Sequence, residues 1–222
     1  MISTELKKRI ITSIGLLFLL TAMYLYTFVM ICTILIMAII IWIEFYALIS
    51  KIIKGNKFQK IFFRFIFRMS SLLYLFLFVG FIYAIESQYI NLKVYLLYSV
   101  LVSVLSDIGG LVFGKIFKGK KLTKISPNKT ISGSIGSIIL SMVLIPIFYN
   151  EFVEHDLFIL IILTIVISLI SQIGDLFISL LKRKAKVKDT SNLLPGHGGL
   201  LDRLDGIIFA VPSGIFLLNF LN

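Results

Sequence analysis

The run from Ile10 to about Ile53 constrains this chain most: 44 residues, nearly all apolar. As one helix it would be about 66 Å long at 1.5 Å per residue, roughly twice the hydrocarbon core of a bilayer. Two helices with a tight turn near Thr27–Met30 fit better. Lys7, Lys8 and Arg9 precede the run, as in a signal peptide. The run continues far beyond a signal h-region, however, and shows no small-residue cleavage pattern. With 59% hydrophobic residues and a mean hydropathy of +1.03, the chain is too apolar for a soluble domain and too poor in charge for a disordered one.

Further apolar runs follow at about Met69–Ile85, Val94–Phe117, Ile135–Tyr149, Leu157–Leu181 and Leu204–Leu221. None alternates as a membrane barrel strand would, and an open strand would leave backbone groups unsatisfied in lipid. The expectation is an all-α, polytopic integral membrane bundle of about seven transmembrane helices, forming one domain over residues 1–222.

The net charge of +11 admits two readings: a nucleic-acid partner, or the cationic bias of cytoplasmic loops. The distribution favours the second. The N-terminus and the segments 51–68, 115–129 and 182–203 hold 21 of the 22 Lys and Arg residues, leaving Lys93 opposite. Glu86, Glu151, Glu154 and Asp156 also fall opposite. Seven spans with a cytoplasmic N-terminus satisfy this pattern, and no nucleic-acid partner is expected. The single Cys32 precludes an intrachain disulfide or a cysteine zinc site, and His155 and His197 lie on different loops.

Chemistry concentrates in Ser179–Asp205, where Lys182, Arg183, Lys184, Lys186, Lys188 and Arg203 stand beside Asp189, Asp202 and Asp205. Ser171, Asp175, Ser179 and Lys182 form a helical stripe leading into it. That stripe suits a polar cavity, or a set of intramembrane hydrogen bonds with snorkelling lysines. Asp107 shares a face with Gly110 and Gly114, small residues that let another helix approach; it is a functional acid or a structural one bonded across a helix pair. For Glu44, a packing role and a functional role stand level. Asp202 and Asp205 share a face, and acids at a helix start are also favoured by the macrodipole. Clustered acids among cations suit Mg²⁺ shared with substrate phosphates. The glycines of Pro195-Gly196-His197-Gly198-Gly199 can form an anion nest, although no Walker pattern follows. Ser126-Pro127-Asn128-Lys129-Thr130 can bind phosphate or cap the next helix.

Ser179-x-x-Lys182-Arg183, then Lys188-Asp189, then Pro195-x-His197-Gly198-Gly199-x-x-Asp202-Arg203-x-Asp205 resembles the signature of phosphatidate cytidylyltransferases, the CDP-diacylglycerol synthases, with no departure across its 27 positions. Asp107-x-Gly109-Gly110, the basic loop and Ser126–Thr130 resemble a second region of that family. Weaker similarity extends through Trp42 and Glu44. Ile131-Ser132-Gly133 lacks the Glu that usually follows, and the chain is short for a bacterial member, as if one or two helices were absent.

The resemblance implies that CTP and phosphatidate give CDP-diacylglycerol and diphosphate, at the cytoplasmic face of the cell membrane, with Mg²⁺ and room for a second cation. It implies Asp107, Asp175, Asp202 and Asp205 on metal. It places Lys182, Arg183, Lys188, Arg203 and Lys129 on phosphates, His197 on phosphate or cytidine, and Ser179 within the site. Ser126, Asn128, Thr130, Asp189, Gly198 and Gly199 complete the binding set. The partners are CTP, phosphatidate and membrane lipids, with a homodimer left open. The rival readings are a CTP-dependent lipid kinase, a CDP-alcohol phosphotransferase, a cation-coupled transporter and an inactive scaffold.

The cation distribution makes a direct prediction. Single cysteines at Lys120 and Lys186 in a Cys32→Ser background should resist impermeant thiol reagents in intact cells, while one at Glu154 should react. An externally reactive position 186 would invert the topology.

Overall fold

The structure, a computed structural model, describes residues 4–88, 92–123, 126–152, 156–194 and 198–220. Its elements are helices α1 (Thr4–Leu25), α2 (Thr27–Ile52), α3 (Phe58–Gln88), α4 (Leu92–Phe117), α5 (Ile131–Met142), α6 (Leu144–Phe148), a 3₁₀ turn at Tyr149–Phe152, α7 (Leu157–Ala185), α8 (Leu201–Leu204) and α9 (Ile207–Phe220). Among the described residues the only β pairing is two isolated bridges, Lys121 with Thr130 and Leu194 with Gly198. The protein is all-α. Among the described residues, five helical segments are long and apolar enough to cross a membrane: Thr27–Ile52, Phe58–Tyr83, Val94–Phe117, Ile131–Phe152 and Leu157–Ala185. The remaining two expected spans correspond to α1 and to α9, which has 14 residues.

Two compact units form. The first combines Met1–Gln88 with Leu181–Arg203, and the second combines Tyr89–Leu180 with Leu204–Asn222. In the first, the long apolar run breaks at Tyr26, whose extended backbone separates α1 from α2 one residue ahead of the expected turn. The basic connection is shorter than the expected 51–68, because α3 begins at Phe58. Lys60, Arg64 and Arg68 recur every four residues and so share one helix face. Lys60 Nζ donates to the Lys54 carbonyl at 2.9 Å and Arg64 Nη2 to that of Gly55 at 3.2 Å. Arg68 lies 3.5 Å from the centre of the Tyr46 ring and donates to Ser50 Oγ at 2.7 Å. The cations thus tie α3 to the turn and to α2.

In the second unit, α4 and α5 meet along glycines. A Cβ on Gly109 would stand 2.5 Å from the Gly136 carbonyl oxygen, and one on Gly133 would stand 2.7 Å from that of Gly110. The expected small-residue face beside Asp107 is therefore a backbone-to-backbone seam. Buried hydroxyls continue it. Ser103 Oγ and Ser171 Oγ are 2.7 Å apart, Ser106 Oγ and Ser168 Oγ 3.0 Å apart, and Ser137 Oγ donates to the Ser106 carbonyl at 2.6 Å. Such bonds bring small polar residues together where lipid offers no partner. The fifth span is broken between α5 and α6. Pro146 has no N–H to offer the Met142 carbonyl, and its ring crowds that group.

The glycine seam predicts a difference between two chemically identical substitutions. Gly109→Ala should destabilise the protein by about 1–3 kcal/mol, because backbone cannot yield to the added methyl. Gly80 has nothing within 4 Å of its Cβ position, so Gly80→Ala should be neutral or slightly stabilising. Thermal unfolding in detergent compares the two.

Candidate active site

The first unit builds its site around two carboxylates. Glu44 projects from α2 and is 5% exposed. Its Oε1 accepts from Ser191 Oγ at 2.5 Å and from the Leu200 N–H at 3.0 Å. Its Oε2 accepts from Thr190 Oγ1 at 2.9 Å and from the Leu201 N–H at 2.8 Å. Asp202, in α8, receives Lys182 Nζ on Oδ1 at 2.7 Å. Its Oδ2 accepts from the N–H groups of Thr190 at 2.8 Å and Gly199 at 2.9 Å, and lies 3.0 Å from Thr190 Oγ1. Gly198 has φ +83, a conformation that glycine adopts without strain.

Burial by itself would raise the Asp202 pKa. The Lys182 bond and charge and the two N–H donors outweigh it, holding the carboxyl below its ordinary 3.8. Arg183, Lys188, Asp189 and Arg203 are exposed around this core. His197 and the Pro195-Gly196 part of the turn lie outside the described residues.

The second unit gathers Asp107, Lys129, Asp175 and Ser179. Lys129 Nζ pairs with Asp175 Oδ2, while Ser179 Oγ donates to Asp175 Oδ1 at 3.3 Å. Asp107 is near enough to feel both the Asp175 charge and the Lys129 charge. Lys129 is delivered by a short turn: its N–H donates to the Ser126 carbonyl at 3.1 Å, and its carbonyl accepts from the Leu122 N–H at 2.8 Å. Thr130 caps α5, its Oγ1 accepting from the Gly133 N–H at 3.1 Å. Of the two roles left open for this loop, Thr130 therefore fills the capping one. Ser126 is half-buried and Asn128 exposed. Asp205 is buried, with Oδ1 accepting from the Gly206 N–H at 3.0 Å.

The sequence-predicted residues thus fall into two groups: Lys182, Asp202 and Gly199 with Glu44, and Asp107, Lys129, Asp175 and Ser179. Among the described residues no three His, Cys, Asp or Glu side chains stand close enough to hold a metal ion. Asp107 and Asp175 carry hard carboxylate oxygens, the donor type of Mg²⁺, which commonly uses one or two carboxylates plus substrate phosphates.

A family model described as the cytidylyltransferase family matches residues 1–221. The chain belongs to the cytidylyltransferase family. Its relatives include proteins named phosphatidate cytidylyltransferase from Staphylococcus saprophyticus, at 42% identity over 146 residues, and from Staphylococcus haemolyticus, at 43% over 146 residues. The Staphylococcus aureus protein of that name is 42% identical. In each case the match covers 64% of this chain and 54% of the relative, so the chain spans about half the length of these relatives. In this cytidylyltransferase-family chain, sequence reasoning singled out Glu44 without its partners and missed Thr190 and Ser191. Adjacent hydroxyls in a loop carry no periodic signal, and their partner lies 146 and 147 residues away.

The Asp202 environment gives a pH prediction. A carboxyl whose folded pKa is depressed contributes stability above its unfolded value, and that stability is lost as pH falls through the folded value. Hydrogen-exchange protection of the Thr190 and Gly199 amides, corrected for intrinsic rates, should persist above pH 3.8 and fall only below it. In Asp202→Asn it should be weaker throughout, with no such step.

Proposed function

We propose that this chain, acting as one catalytic domain, transfers the cytidylyl group of CTP to phosphatidate, giving CDP-diacylglycerol and diphosphate. A phosphatidate oxygen attacks the α-phosphorus of CTP. The new P–O bond forms as the bond to the β-phosphate's bridging oxygen breaks, and both electrons of that bond leave with diphosphate. The nucleophile is already an anion at neutral pH, so positioning and charge neutralisation do most of the catalysis.

The observation that carries this reading is the Asp107–Lys129–Asp175 group. It pairs the Lys129 ammonium group with Asp175 in a unit built from apolar helices, with Asp107 within range of both charges. In this reading Asp107 and Asp175 would hold Mg²⁺ together with substrate phosphates. When bound, the ion would neutralise charge on phosphate oxygens. Lys129, Lys182, Arg183, Lys188 and Arg203 bind phosphates. In the second unit Ser126, Asn128 and Ser179, with Thr130 as the helix cap, would support binding; in the first, Asp189, Gly198 and Gly199 would do so, and His197 would orient phosphate or cytidine. The basic segments face the cytoplasm, where CTP arrives, while phosphatidate comes laterally from the membrane.

Purified protein with labelled CTP, phosphatidate and Mg²⁺ should yield a labelled lipid and diphosphate. Asp175→Asn should lower turnover by at least about 10²-fold, the scale of a lost electrostatic contact at a reacting centre, while the protein still folds. A diacylglycerol acceptor giving phosphatidate instead would favour the lipid-kinase alternative. Near-normal turnover in Asp175→Asn would remove that residue from the site.

A further inference from the structure

We propose that Glu44 is a positioning residue for nucleotide use: from inside α2 its carboxylate sets the shape of the loop between α7 and α8, the helices that carry the Lys182–Asp202 pair. This inference rests on the cytidylyl-transfer reading above. A carboxylate in an apolar helix is costly unless its oxygens are hydrogen-bonded. Glu44 is 5% exposed, and both of its oxygens are used. Its donors come from two stretches, Thr190–Ser191 and Leu200–Leu201. One side chain therefore fixes the loop on either side of the Pro195–Gly199 turn.

The link onward to Asp202 is the Thr190 hydroxyl. It lies 2.9 Å from Glu44 Oε2 and 3.0 Å from Asp202 Oδ2. One hydroxyl hydrogen serves two carboxylates, so the spacing of the acids depends on both. Gly199 reinforces the coupling. Its N–H donates to Asp202, and a Cβ there would stand 2.7 Å from both Glu44 oxygens. Asp202 in turn holds Lys182 Nζ at 2.7 Å. A shift of Glu44 would thus reach the Lys182 ammonium through three hydrogen bonds, by way of Thr190 and Asp202. Nothing in α2 itself requires an acid at this position.

Glu44→Gln is the informative change. The amide keeps one acceptor oxygen, but its NH₂ faces donors that previously met an oxygen. Glu44→Asp keeps two oxygens on a side chain one methylene shorter and should recover part of the function. In well-folded protein reconstituted in lipid, Glu44→Gln should raise the KM for CTP by at least about tenfold. It should change the KM for phosphatidate less, with Glu44→Asp between it and wild type. Amide exchange at Leu200 and Leu201 should speed up in Glu44→Gln.

A purely structural Glu44 would lower the yield of folded protein while leaving both KM values of the folded fraction unchanged, and that result would overturn the proposal. Unchanged exchange at Leu200 and Leu201 would do the same. If Glu44→Gln does not fold, Ser191→Ala withdraws a single donor from the loop side. It should still raise the KM for CTP above that for wild type, and wild-type kinetics there would sink the idea. A wild-type protein that makes no CTP-dependent lipid product would instead fail the functional reading itself, and the exchange comparison would then decide the Glu44 clamp on its own.

Discussion

An ionised carboxylate among apolar helices must find hydrogen-bond donors or a cation, and the rest of this structure depends on how that requirement is met. Glu44 meets it with two hydroxyls and two backbone N–H groups. Asp175 meets it with Lys129 and Ser179. In both cases the donors come from polar segments outside the spans or from the end of a span. Each carboxylate therefore holds a loop or a helix end in place. The same pairing that makes the acid tolerable gathers cationic and N–H donors, the groups that a phosphate also attracts.

Close backbone packing makes this arrangement possible. The glycine seam between α4 and α5 brings backbone against backbone at Gly109 and Gly133, and serine pairs extend the contact with α7. Asp107 lies in the helix that carries one side of the seam. Lys129 lies just before the helix that carries the other, with Thr130 as that helix's cap. A seam of small residues thus sets how closely the Asp107 helix approaches the segment that carries Lys129.

Much of this was legible in the sequence, and the exceptions have physical causes. The segment Val94–Phe117 and the start at Leu157 follow directly from hydropathy. So does a break in the first run, which falls at Tyr26. The glycine face beside Asp107 follows from helical spacing. The early start of α3 does not, because cations every four residues read equally as a polar loop or as one helix face. Pro146 marks the interruption between α5 and α6, but apolar composition hid it. The Glu44 partners were beyond reach, since no local pattern links residue 44 to residues 190, 191, 200 and 201. The sequence offered Asp202 as a candidate acid but did not show it as the acceptor for Lys182 and the Thr190 and Gly199 amides.

The central claim is that paired charge organises the polar end of these helices, and a charge-swap cycle at Lys129 and Asp175 tests it most directly. Lys129→Asp and Asp175→Lys should each lower the thermal stability of the purified protein. The double reversal should recover a large part of that loss, because the pair is re-formed with its polarity exchanged. If the two losses simply add in the double variant, the ion pair does not organise the site and the account is wrong.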